Sequence, residues 1–158
     1  MVKKSADQWF EEYGVSHQNK LNKLIHWVCV PLIYLVIFGL LWDIPQPDWM
    51  SSVPFLNWAT LTSIPVMAFY YRLSPSLAKG LGIFTLICLI SLAIYEQAYT
   101  TPLWITSLIG FIILWIGQFV GHHIEGAKPS FFKDVQFLLI GPAWLMGFIY
   151  RKFGIHYD

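Results

Sequence analysis

Long apolar runs alternate with short polar breaks along this chain. Four runs, 24–42, 53–71, 80–95 and 103–120, contain no Asp, Glu, Lys or Arg. Each comes close to the roughly 20 residues a helix needs to cross a hydrocarbon core, allowing for tilt. Pro31 and Pro65 fall inside the first two and are expected to kink them or open them locally. A fifth run, 135–150, is shorter and carries Gly141-Pro142, which predicts a re-entrant or interfacial hairpin rather than another span. Before the first run, Ser5 to Gln8 has the form of a capping box. Trp9, Phe10 and Tyr13 then give the following turns an apolar stripe, so a surface helix ending at Gly14 is expected. The pattern predicts an all-α membrane protein with four transmembrane helices, an N-terminal surface helix and a C-terminal re-entrant or interfacial hairpin. It forms a single domain over 1–158, with 1–23 as its cytoplasmic N-terminal segment.

Composition agrees with that class. The 158 residues are 56% hydrophobic and only 12% charged, far more apolar than a soluble domain of this size requires. No repeat, low-complexity tract or flexible linker divides the chain. A net charge of +1 gives no reason to expect nucleic acid as a partner. Both cysteines, Cys29 and Cys88, sit within apolar runs and read as packing residues. The N-terminus, with Asp7, Glu11 and Glu12, lacks the basic and apolar regions of a cleaved signal, so the first run is expected to act as the insertion signal.

Loop charges orient the spans. Lys3, Lys4, Lys20 and Lys23 precede the first run, and the following loop has Asp43 and Asp48 without any Lys or Arg. Arg72 and Lys79 mark the second loop, Glu96 the third, and Lys128, Lys133, Arg151 and Lys152 follow the fourth run. By the positive-inside rule both termini are cytoplasmic, in a bacterial inner membrane or the endoplasmic reticulum. Trp42, Trp49, Trp58 and Trp104 would form the outer aromatic belt.

This topology gathers the polar chemistry on one membrane face. His17, Asn22 and His26 lie at the cytoplasmic start of the first span, and Gln118, His122, His123 and Glu125 at the cytoplasmic end of the fourth. Ionisable groups at such positions are costly unless they bind or react with something. Asn22 and His26 share a helix face, as do Trp115, Gln118, His122 and Glu125, while His123 points about a quarter turn away. His17 and His26 are nine apart and would stand roughly 13 Å apart on opposite sides of an unbroken helix. They can share a metal only if the chain bends between them. Imidazole with or without carboxylate, and no thiolate cluster, suits Fe(II) and other first-row metals. The bland readings are interfacial packing histidines, Asn22 and Gln118 as interhelical hydrogen bonders, and Glu125 as a solvated helix-end carboxylate. At a helix C-terminus a carboxylate opposes the dipole, which favours a cationic or metal partner for Glu125. His156, near the C-terminus, reads as inert, and Lys128 and Lys133 read as topology determinants.

The pattern His17-x4-Asn22-x3-His26-x4-Pro31, followed by Trp115-x-x-Gln118-Phe-x-Gly121-His122, then Glu125 and Pro129, resembles the small membrane dioxygenases that shorten 2-hydroxy fatty acids. The resemblance covers nearly the whole chain. Cys29 stands where the family pattern has glycine, and His123 lies outside the motif. The resemblance implies an Fe(II) dioxygenase that converts a long-chain 2-hydroxy fatty acid and dioxygen to the acid one carbon shorter and carbon dioxide. It assigns the metal to His17, His26 and His122. His123 is retained as a further candidate ligand. Asn22 and Gln118 would orient ligands, and Glu125 would be either a fourth ligand or a general base. The substrate's hydroxyl and carboxylate are expected to chelate the iron, with its alkyl chain lying between the helices among membrane lipids.

Three other classes remain. Di-iron membrane desaturases and hydroxylases need more histidines than the five present. A haem-binding electron carrier would take axial ligands from two helices. A non-catalytic scaffold or lipid-binding protein would make both histidine clusters incidental.

Overall fold

The computed structural model describes residues 4–130 and 136–157, and all of their regular structure is helical. In chain order the helices are α1 (Ala6–Gly14), α2 (Lys20–Trp42), α3 (Asp48–Ser51), α4 (Trp58–Leu73), α5 (Pro75–Ala98), α6 (Leu103–Glu125) and α7 (Phe137–Lys152). Among the described residues, α2, α5 and α6 are long and apolar enough to cross a membrane. Lys3 and Lys133, read above as topology determinants, lie outside the described residues, as does position 135 at the head of the fifth run.

Local chemistry explains where the helices start. The Ser5 side chain accepts from Gln8 N, and the Gln8 side chain accepts from Ser5 N, so α1 has the expected capping box. Asn19 accepts from the backbone N–H groups of Leu21 and Asn22, which starts α2 four residues ahead of the apolar run. α4 begins later than its run suggests. Asn57 and Thr60 form a reciprocal capping box, so residues 53–57 stay outside the helix as a turn. Ser74 caps α5, and Pro75 takes the first helical position, where its missing N–H would have had no intrahelical partner anyway.

Small residues let α2 and α6 pack closely and antiparallel. Gly110, Gly117 and Gly121 of α6 face Val36, Cys29 and Asn22 of α2, and Gly39 of α2 faces Ser107. A β-carbon at Gly117 would stand 3.0 Å from the Cys29 sulfur. Such small-residue seams are how helices associate in a lipid-like environment, where burying apolar side chains brings little gain. α4 packs on α5, and the Tyr34 hydroxyl joins α2 to α5 through Thr85 at 2.8 Å. Outward, α5 exposes Ile83, Leu86, Ile87, Ile90 and Ile94, and α6 exposes Ile109, Ile112, Ile113, Ile116 and Val120. Apolar faces of that extent match hydrocarbon rather than water.

α7 departs from the hairpin expectation, because it is one continuous helix through Gly141 and Pro142. Tertiary packing outweighs the missing backbone donor of Pro142. Small residues give α7 a face onto which neighbours close: Phe10 of α1 sits against Gly147 and the Tyr13 phenol against Gly141, while Ile140 and Ala143 are fully buried. α7 also meets α5, where the Tyr150 hydroxyl donates to Ser76 O at 2.8 Å and Gly80 faces Met146. α1 is therefore not isolated on a surface; it buries Ala6, Phe10 and Tyr13 while Gln8, Glu11 and Glu12 remain exposed. α7 packs on α2 and α5, and α1 lies against α7, at the end of the bundle where α2 begins. Helices α2 and α4 likewise run unbroken through Pro31 and Pro65.

Candidate metal centre

The break between α1 and α2 solves the spacing problem of His17 and His26. α1 stops at Gly14, residues 15–19 turn, and α2 restarts at Lys20. His17 on the turn is thereby carried back over the first turns of α2, and its ring centroid comes to 4.3 Å from that of His26. His122, near the last turn of antiparallel α6, completes the group at 4.9 Å from each. The three rings are mutually steep, at 81°, 73° and 86°, and one nitrogen of each lies within 4.8 Å of the others. All three are buried, at 0%, 1% and 6% exposure.

Backbone hydrogen bonds decide which ring atoms remain available. Nδ1 of His17 meets Tyr13 O at 2.6 Å, and Nδ1 of His26 meets Asn22 O at 2.9 Å, the carbonyl four residues back in each case. A carbonyl can only accept, so Nδ1 carries the proton and Nε2 keeps its lone pair. His17 Nε2 is buried without a partner, and so is His122 Nδ1. Buried polar atoms are rarely left orphaned, and two such imidazole nitrogens converging with a third ring fit a divalent ion. Burial, and next the neighbouring His26, push the His17 imidazole down to about 3, so its ring is neutral and ready to donate. These residues form a metal site whose three-imidazole donor set suits Fe(II) chemistry and supplies fewer ligands than such an ion takes.

The surrounding groups hold the rings. Tyr13 stacks on His17 at 4.1 Å and 16°, and Trp144 of α7 packs against the same ring at 5.5 Å. Ser16 Oγ pairs with Ser130 Oγ at 2.6 Å, fastening the turn to the segment that follows α6. Gln118 is buried one turn before His122 on α6 and lines the same cavity as His26. Asn22 donates from Nδ2 to Ser16 O at 3.1 Å and to Glu125 at 3.0 Å. It also sits so close to α6 that a β-carbon at Gly121 would run into Asn22 Oδ1.

Glu125 bonds to the turn and to the start of α2. Oε1 accepts from Gln18 N at 2.7 Å, and Oε2 accepts from Asn19 N at 2.8 Å and from Asn22 Nδ2. The carboxylate at the C-terminus of α6 is thus matched to the N-terminus of α2, where free N–H groups and the helix dipole favour an anion. It is not part of the three-histidine group. His123 is exposed and also stands outside the group. α6 then closes at Gly126, whose φ of 73° is a left-handed cap that favours glycine.

Of the surrounding groups, Trp144 and the Ser16–Ser130 pair were not singled out from the sequence, and Tyr13 was read only as part of an apolar stripe. Tyr13 had a signal, since it lies four residues before His17. Trp144 and Ser130 had none, being neighbours only in three dimensions.

One cavity of about 380 Å³ opens from the metal centre. Its histidine end is lined by His26, His122, Gln118, Tyr13 and Ser130, and the remainder is almost wholly apolar, formed by α2, α4 and the start of α7. An apolar pocket with polar groups gathered at one end suits an amphiphile.

Comparison with protein families supports the same reading. The model described as "Mpo1-like: 2-hydroxy-palmitic acid dioxygenase Mpo1-like" matches residues 3–153. No curated protein and no solved structure matches the chain.

Proposed function

Because the chain belongs to the Mpo1-like 2-hydroxy-palmitic acid dioxygenase family, we propose that it carries out the oxidative decarboxylation of long-chain 2-hydroxy fatty acids. The observation that carries this reading is the buried histidine triad, two of whose rings, His26 and His122, line the polar end of an otherwise apolar cavity. The acid's carboxyl and hydroxyl groups lie at the His26–His122 end and its alkyl chain lies along α2. An Fe(II) ion held by His17, His26 and His122 would supply the dioxygen activation that the side chains cannot provide themselves.

The chain's own residues prepare the site. The carbonyls of Tyr13 and Asn22 hold the protons of His17 and His26 away from the cavity. Gln118 at the polar end is placed to orient the substrate head group. Glu125, acting through Asn22 and the turn, positions His17. Tyr13, Trp144 and α7 exclude water from the histidine cluster.

The overall reaction converts R-CH(OH)-COOH and O₂ to R-COOH, CO₂ and H₂O. The organic substrate loses four electrons, the number one dioxygen accepts on reduction to water, so no external reductant is needed. Purified protein supplied with Fe(II), oxygen and 2-hydroxyhexadecanoic acid is expected to turn over repeatedly without NAD(P)H or 2-oxoglutarate, with one oxygen consumed per carbon dioxide released. Hexadecanoic acid should not react. An absolute need for an electron donor, or equal turnover of the plain acid, would refute this assignment.

In the membrane, we read α2, α4, α5 and α6 as four crossings, with α1 and α7 as an interfacial layer over the cytoplasmic end and both termini on that side. α4 is about 24 Å long at the usual rise, and its run of apolar neighbours at 53–56 extends that reach. The cations flanking α7 and the Asp43 and Asp48 pair on the opposite connection support this orientation.

A further inference from the structure

The cavity lining on α2 has a regular spacing. From His26 it proceeds through Val30, Ile33 and Tyr34, Ile37 and Phe38, to Leu41. Steps of three and four keep these side chains on one helix face, so a metal ligand stands at the head of an unbroken apolar stripe. α4 runs opposite to α2 and lends Val66 and, one turn nearer the far end, Thr62. α6 contributes Trp115, Gln118 and His122, all within the half nearest the metal centre.

We propose that this stripe measures the substrate's alkyl chain, with Phe38, Leu41 and the facing Thr62 setting the longest chain that fits. The proposal rests on the substrate class proposed above. Fifteen residues separate His26 from Leu41, about 22 Å along the helix at 1.5 Å per residue. A fully extended chain advances about 3.5 Å per three bonds, or about 1.2 Å per bond, so the stripe accommodates roughly 18 bonds. With the carboxyl and hydroxyl groups at the histidine end, the groove holds an acid of roughly 16 to 18 carbons. Shorter acids leave the far end unfilled. Longer ones must displace Phe38, Leu41 or Thr62, and forcing extra methylenes into a packed site carries a penalty that corresponds to roughly tenfold or more in affinity.

The test is competition against tritiated 2-hydroxyhexadecanoic acid, using the purified metal-loaded protein in detergent, with 2-hydroxydodecanoic, 2-hydroxyhexadecanoic and 2-hydroxyeicosanoic acids as competitors. Leu41→Trp fills the far end from α2, and Thr62→Phe fills it from α4. Leu41 is half-buried and Thr62 likewise, so the two variants approach the same space independently. Each should weaken binding of the hexadecanoic compound roughly tenfold while leaving the dodecanoic compound within about twofold of wild type. Equal weakening of all three acids, or no change in any, in whichever variant folds, would overturn the proposal. Chain-length discrimination without carbon dioxide release would sink the catalytic reading and leave the ruler standing. A folded wild-type protein that binds none of these acids would overturn both.

Discussion

Replacing Glu125 by glutamine separates a role in holding the metal site from a role in the chemistry. The carboxylate accepts three hydrogen bonds: Gln18 N at 2.7 Å on one oxygen, and Asn19 N at 2.8 Å with Asn22 Nδ2 at 3.0 Å on the other. An amide of the same shape has one acceptor oxygen. In its better orientation it keeps the bonds to Asn19 and Asn22 and turns an NH₂ group towards the Gln18 N–H, donor against donor. One charge-assisted bond is lost, worth about 1.5–3 kcal/mol. The favourable interaction of an anion with the α2 N-terminus goes as well, about 0.3–1 kcal/mol at a partly exposed site. This loss falls on the turn that carries His17, so it should appear as a metal affinity lower by roughly 10- to 100-fold, the range typical of groups supporting a ligand. Titration of the metal-free protein with Fe(II) under anaerobic conditions would measure it, with activity assayed in parallel at saturating metal. The expected result is weakened binding with activity largely restored by excess metal. Wild-type affinity combined with lost activity would refute the positioning argument and make Glu125 a participant in proton transfer.

Two further predictions concern the ligands and the membrane. His17→Ala, His26→Ala and His122→Ala should each abolish stoichiometric metal binding, because removing one imidazole from a three-ligand site takes away most of its affinity; His123→Ala should leave metal content unchanged, as read by elemental analysis. Retained stoichiometric metal in any of the first three would exclude that residue from the site. Single cysteines replacing Lys20, Lys128 and Lys152 should label from the cytoplasmic side, and those replacing Asp48 and Thr100 from the other, all five positions being exposed; opposite sidedness for Lys20 and Lys128 would contradict the proposed topology.

The sequence by itself determined the helical, apolar character of the chain and the α1 cap, and it marked His17, His26 and His122. These features are local. Hydrophobic periodicity, capping side chains and short motifs act over a few residues, where backbone geometry leaves few alternatives. Even the stripe from His26 to Leu41 lies open in the spacing of α2, although only the cavity shows that it lines a shared space. Other features depended on partners distant in the chain. Glu125 looked like a carboxylate at the wrong end of a helix, and only the antiparallel seam of glycines brings the N-terminus of α2 to meet it. Gly141-Pro142 looked like a break, and only α1 lying against α7 shows why the helix continues. His17 and His26 looked misaligned, and the turn after Gly14 folds one over the other because Tyr13, Trp144 and Ser130 close around it. Local sequence can specify a ligand's identity, but the convergence of three nitrogens within 4.8 Å is a property of packed helices, since it depends on contacts that exist only once residues more than a hundred positions apart are brought together.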